Sequence, residues 1–217
     1  MEAEVTMSGK GRILEMLGGL ALTDARVVAV DTPHPRYRKL SIEGPGLRDG
    51  AFQPGDKVQV LLPSKDVRTY TPVSWKSGRA IILAYLHGTG PGARWAAEAK
   101  AGDTIRFLGP QRSLRLDGVE VLAGDETSIG VAAGLATGRT VLRVADVEAA
   151  RAAAASIGVN AQIFASDQAA LDALGSPRVA AVTGGSAWIQ AARAALRERG
   201  ANIRVKAYWA PGRVGID

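Results

Sequence analysis

The chain has 217 residues, and its hydrophobic (47%) and charged (22%) shares are those of a soluble protein able to bury a real core, as one large domain or two. It has no cysteine, which excludes disulfides, thiolate zinc sites and a catalytic thiol, and fits a reducing compartment. The formal charge of +6 invites a nucleic-acid partner, but the positive residues are scattered and aromatic residues make up only 5%. We therefore expect no nucleic acid, and either a mildly basic solvated surface or one tuned to an anionic small molecule.

Residues 1–22 read as a partly helical extension. Glu2, Glu4 and Glu15 interrupt its short apolar run, so no signal peptide is expected. No stretch approaches ~18 uninterrupted apolar residues, so no membrane span is expected either, and the expected location is cytoplasmic. From residue 23 short strand-like runs alternate with Gly/Pro turns: Ala25–Asp31, Arg38–Ile42, Lys57–Leu62, Tyr70–Trp75, Arg79–Leu86 and Asp103–Leu108. One alanine-rich helix, Gly92–Lys100, interrupts them. Such spacing predicts an antiparallel β-barrel over 23–116.

At residue 117 the grammar changes to strand and helix in alternation. Strands are expected at Val119–Ala123, Thr140–Ala145, Ala161–Ala165, Arg178–Thr183 and Ile203–Trp209. Helices are expected at Thr127–Thr137, Val147–Ile157, Asp167–Leu174 and Ala187–Arg199. This predicts a doubly wound parallel-sheet α/β domain over 117–217, with a ligand crevice beyond the carboxyl ends of its strands. No His/Cys/carboxylate cluster has ligand spacing, so no metal site is expected.

Two stretches could carry chemistry. In "HGTGPGARWAAEAKAGD", residues 87–103, glycines and a proline lead into a helix whose first amides are unsatisfied donors, a cradle for a diphosphate or an ordinary capped loop. In "RTYT", residues 68–71, an arginine offers a fork for phosphate, a tyrosine packs against a ring system and a threonine hydroxyl reaches a ring nitrogen. Alone, the same four residues read as an exposed strand. Together, the two stretches fit a flavin dinucleotide.

From Arg26 onward the chain resembles the siderophore-interacting proteins, FAD-dependent ferric-siderophore reductases of the ferredoxin-reductase-like class. The resemblance rests on "RYRKLSIEGPGL", "GDKVQVLLP", "RTYTPVSW", "LHGTGPGARWAAEAKAGDTIRFLGPQ", "LAGDETSIG" and "VKAYWAPGRVG", in that order. It implies an oxidoreductase passing electrons from NAD(P)H, or from a protein donor such as ferredoxin, through FAD to a ferric siderophore. Arg68, Tyr70 and Thr71 would hold the FAD phosphate, cover the isoalloxazine and contact its N5 edge, with Tyr70 and Thr71 nearest the chemistry. His87, Gly88, Gly92, Ala93, Arg94 and Trp95 would surround the ribityl chain and diphosphate, although Trp95 reads equally as a core residue. Asp125 and Thr127 would meet the nicotinamide nucleotide, or simply cap a helix. Tyr208 and Trp209 would lie close to the flavin. Lys65, Lys76, Arg112 and Arg213 are the residues expected to form a basic rim for an anionic chelate. Three departures from the family pattern stand out: Val73 replaces the last arginine of its Arg-x-Tyr-Thr-x-Arg motif, Gly130 replaces a proline, and Gly185 stands in "TGGSAW" where a neighbouring glutamate is expected. The rival readings are a flavin reductase or electron-transfer module with another acceptor, and a non-catalytic binding protein.

Overall fold

Side chains that alternate between buried and exposed build the first sheet. The computed structural model describes residues 22–210; the expected extension, through residue 21, and Arg213 lie outside them. Seven antiparallel strands form in chain order: β1 (Thr23–His34), β2 (Tyr37–Glu43), β3 (Lys57–Leu61), β4 (Val67–Tyr70), β5 (Ser74–Lys76), β6 (Arg79–Tyr85) and β7 (Thr104–Gln111). Their order in the sheet is β4-β3-β7-β1-β2-β6-β5. The two edge strands, β4 and β5, are separated by only Thr71, Pro72 and Val73. The four Cα–Cα steps from Tyr70 to Ser74 reach ~14 Å at most, so the sheet must curl until its edges approach. Val27, Leu40, Val60, Ile82, Ile105 and Phe107 fill the inside of this barrel.

The continuous strand expected at Tyr70–Trp75 is therefore two strands. Pro72 lacks the N–H that a ladder needs, and the chain breaks there while Val73 N–H donates to Ile81 O at 2.7 Å. Helix α1 (Pro91–Glu98) follows β6, with Gly90 as its N-cap and no side chain capping its amides.

The second sheet holds five parallel strands: β8 (Val121–Gly124), β9 (Arg139–Arg143), β10 (Ala161–Phe164), β11 (Val179–Gly185) and β12 (Asn202–Trp209). Their order is β10-β9-β8-β11-β12, so strand order reverses between β8 and β11. Three of the connecting helices agree closely with expectation: α3 (Val147–Ser156), α4 (Asp167–Ala173) and α5 (Ser186–Glu198). The fourth does not. The helix expected over Thr127–Thr137 is a single 3-10 turn, Glu126–Ser128, followed by the one-turn α2 (Ile129–Ala132). Gly134 and Gly138 shorten it: Gly138 takes φ +99° against the carbonyls of Val119 and Glu120.

One buried cluster bridges the two sheets. Period-two alternation places Ala80, Ile82 and Ala84 of β6 inside the barrel and points Leu83 and Tyr85 the other way. There Leu83, Tyr85 and the fully buried Tyr37 pack with Ile129, Leu142 and Val144 of the second sheet. Tyr37 donates its hydroxyl to Glu126 O (3.3 Å), Lys39 Nζ donates to Ser156 O (3.4 Å), and Arg36 pairs with Asp146 at 3.2 Å. No helix among the described residues is long and apolar enough to cross a membrane.

Candidate functional site

Where the barrel meets the carboxyl ends of the parallel strands, a cleft encloses about 1030 Å³ of space, part of it open solvent. From the barrel side it is lined by Val67 to Thr71, Leu83, Tyr85, His87 and the start of α1. Thr127, Gly130, Tyr208 and Trp209 line it from the second sheet. Among these residues there is no carboxylate, and Arg68 carries a fixed positive charge.

Strand β4 brings "RTYT" to the wall. Arg68 is four-fifths buried, donates to Val67 O at 2.7 Å and lies 3.8 Å from Asp66. The Tyr70 ring tilts against Trp95 with centroids 5.5 Å apart, and burial holds its hydroxyl well above the ordinary tyrosine range, the nearby Arg68 opposing that rise. Gly92, in the first turn of α1, touches both: a Cβ there would come within 3.1 Å of Arg68 Cγ and 3.3 Å of the Tyr70 hydroxyl. Glycine thus lets the helix start close against the arginine and the tyrosine. Beside it Gly90 has open space around its backbone.

Thr71, just past the strand, shares a hydrogen bond with the Tyr208 hydroxyl across the two sheets. Burial pushes the Tyr208 phenol up to about 12, with the Thr71 bond pulling down and the Asp125 charge pushing up. Helix α2 closes on the same segment: a Cβ on Gly130 would lie 3.3 Å from Thr71 O. The departure from proline at 130 therefore sits at a close approach between the halves. On the open side rings follow one another from Tyr85 to His87 (5.6 Å, stacked) and from His87 to Trp209 (6.2 Å).

Asp125 takes the second of the two roles expected for it, capping the 3-10 turn that follows β8. Its carboxylate is 3% exposed and accepts from Thr127 N and Oγ1, Ser128 Oγ, Gly185 N (2.7 Å) and Trp209 Nε1 (2.9 Å). Both oxygens are occupied within the fold. A Cβ on Gly184 (φ +114°) would fall 2.6 Å from Asp125 Oδ1, and one on Gly185 2.6 Å from the Trp209 ring. The two glycines of "TGGSAW" are thus explained by contacts inside the chain, at the point where strand order reverses.

Other expected residues stand elsewhere. Arg94 and Trp95 line a second depression on the far side of α1, because 200° of helix rotation separates Arg94 from Gly92. Gly88 (φ +62°) turns the chain into the glycine loop without lining the cleft. Lys76 is opposite Arg79 at the start of β6, whereas Tyr85 marks the cleft six residues on, ~20 Å away along the strand. It cannot form part of a rim. Lys65 occupies the β3–β4 turn two residues before Val67, and the exposed Arg112 follows β7; neither lines the cleft. Leu83 and Tyr85, which sequence reading missed, do. Alternation in β6 marks them as outward, but nothing local shows that this outward face meets the second sheet. Among the described residues no group of three or more His, Asp and Glu could hold a metal.

Residues 65–114 match the family model of the siderophore-interacting FAD-binding domain, where the sequence resemblance is strongest. No curated protein matches the sequence. Among solved structures the chain is similar to a siderophore utilization protein from T. fusca, at 22% identity over 91% of this chain and 96% of that one, TM-score 0.70. It is similar to the siderophore-interacting protein SipS from Aeromonas hydrophila, at 21% identity over 89% and 93%, TM-score 0.69. It also resembles phthalate dioxygenase reductase, which transfers electrons from pyridine nucleotides to [2Fe-2S], at 13% identity over 92% and 71%, TM-score 0.74. The fold is ferredoxin-reductase-like, and the matched segment is similar to an FAD-binding domain.

Proposed function

We propose that the chain binds FAD in the cleft between its sheets and passes electrons through it to a ferric siderophore. The observation that carries this is the contact of Gly92 with Arg68 and Tyr70. It brings an uncapped helix start, a guanidinium and an aromatic ring together inside the segment that matches an FAD-binding model.

In this reading Arg68 and the first amides of α1 hold the diphosphate, a site that favours anions by charge and by helix dipole. Tyr70 packs against the isoalloxazine, and the Thr71 hydroxyl, steered by Tyr208, serves the ring's polar edge. His87 and Ala93 border the ribityl chain, and Gly88 turns the chain between them. Leu83 and Tyr85 exclude water from one side of the cleft, and Trp209 covers it from the C-terminal strand. FAD, when bound, supplies acceptance of electrons in pairs and their release one at a time. Lys65 and Arg112 are the cations we place near the route of an anionic ferric chelate. The purified protein should carry a flavin spectrum or take one up, with FAD as the cofactor released on denaturation; a protein that binds no flavin contradicts the proposal.

One observation bears on the donor. In open α/β sheets a nucleotide docks where strand order reverses. Here Asp125 consumes the Gly185 amide and Trp209 lies over Gly185. This favours a protein donor such as ferredoxin over NAD(P)H. Stopped-flow mixing should show slow flavin bleaching by NADH and NADPH beside ready reduction by dithionite; rapid saturable bleaching by either nucleotide contradicts it.

A further inference from the structure

We propose that Asp66 competes with the ligand for the Arg68 guanidinium and so holds flavin affinity below what Arg68 alone would give, an inference that rests on the flavin reading of the cleft. Asp66 stands outside the cleft lining, at the end of the β3–β4 turn and two residues before Arg68. In extended chain, residues two apart point to the same side, which makes the carboxylate and the arginine head neighbours.

The turn fixes that carboxylate. Leu62 N donates to Asp66 O and Lys65 N to Leu62 O, both at 2.8 Å, and Lys65 takes φ +63°, which an L residue adopts rarely. Ser64 Oγ donates to Asp66 Oδ2 at 2.9 Å, while Oδ1 lies 3.8 Å from Arg68 Nη1. Arg68 is confined from the other side. A Cβ on Gly92 would be 3.1 Å from its Cγ and 3.4 Å from its Cδ, so α1 limits the stem and leaves the guanidinium the freer part. That head donates to Val67 O at 2.7 Å. The two charged side chains are only 19% and 17% exposed, so neither is well hydrated and each needs a counter-charge. At 3.8 Å the contact is an ion pair and not a hydrogen bond. Such a partner neutralises the arginine of the empty site and yields it to a better one. A diphosphate offers the fork charge-assisted hydrogen bonds that Asp66 does not. Drawing the guanidinium away from the carboxylate costs Coulomb energy, and that cost lowers affinity.

Asp66→Asn keeps the shape, keeps an oxygen for Ser64 and removes the charge. Fluorescence titration of the flavin-free protein should give a Kd for FAD about three- to tenfold below that of the parent. Without flavin the same variant should melt a few degrees lower, because Arg68 loses its counter-charge, and saturating FAD should narrow the gap. A merely structural role would weaken both. In an Arg68→Ala background the substitution should change the Kd by less than about twofold, since Asp66 acts through Arg68. Asp66→Ser supplies a second uncharged side chain if the first variant does not fold. Unchanged or weaker FAD binding by the folded variant overturns the competitor and leaves the cleft reading standing. So does an equal gain without Arg68, which would mean that Asp66 repels the ligand directly. A parent protein that binds no flavin overturns the cleft reading, and the competitor with it.

Discussion

Arg68 and Thr71 are expected to contribute unequally to flavin affinity. A hydrogen bond to a charged group is worth roughly 1.5–3 kcal/mol and a neutral one about 0.5–1.5. Arg68→Ala should therefore raise the Kd for FAD by one to two orders of magnitude, and Thr71→Ala by a factor of about 2–10. Isothermal titration checks both; a folded double variant with undiminished affinity removes Arg68 and Thr71 from the site. Tyr208, the partner of Thr71, makes a separate claim. Its pKa is raised from 10.0 to about 12 by burial. Below pH ~10 folded and unfolded chains both keep the proton, and its contribution to stability is fully present. As pH rises from about 10 to about 12, only the unfolded chain releases the proton, so stability falls with a slope approaching 1.4 kcal/mol per pH unit. Tyr37 and Tyr70, raised by burial as well, act in the same direction. Urea denaturation between pH 9 and pH 11 should show a shallower decline for Tyr208→Phe than for the parent, both pH values lying about the window set by these shifts. Identical declines would mean that Tyr208 titrates as freely in the folded chain as in the unfolded one.

Among the elements, α1 depends most on a single small residue. Gly92→Val would drive branched carbons into Arg68 and the Tyr70 hydroxyl, already 3.1 and 3.3 Å from a Cβ. The helix start would move away from β4, so FAD affinity should drop at least tenfold while thermal stability changes by only ~1–2 kcal/mol. Calorimetry and flavin titration on the same sample separate the two effects; a variant with intact affinity shows that the approach of α1 to Arg68 is not needed for binding. The elements also show how much was legible in the sequence. The two sheets and most strand and helix positions could be read, because alternation of period two and alanine-rich helical segments are local patterns. The break at Pro72 was missed because a run of β-formers, Tyr70 to Trp75, outweighed a single missing N–H. The helix after "GDET" was overextended because the φ +99° turn at Gly138 depends on carbonyls of the chain around Val119. Within the site, Arg68, Tyr70, Thr71, His87, Tyr208 and Trp209 were legible through motifs and do line the cleft. The cap by Asp125 was legible as an alternative, but its bonds to Gly185 and Trp209 were not, since those residues lie 60 and 84 positions away.

At the scale of the whole molecule, the cleft exists because a bridging cluster holds together two sheets that each have a core of their own. Tyr37, Tyr85 and Leu83 of the barrel pack against Ile129, Leu142 and Val144, so the outward face of β6 is covered by the second sheet. Electron transfer through this cleft is the central claim, and one measurement addresses it directly. The FAD-loaded protein, reduced by dithionite without oxygen, is mixed in a stopped-flow instrument with a ferric siderophore and a ferrous-iron chelator. The account predicts that the oxidised flavin band returns, faster as siderophore concentration rises, and that two ferrous ions are trapped for each flavin reoxidised, as one-electron reduction of Fe(III) requires. A flavin that stays reduced against ferric siderophores, yet is reoxidised at once by oxygen, would contradict it.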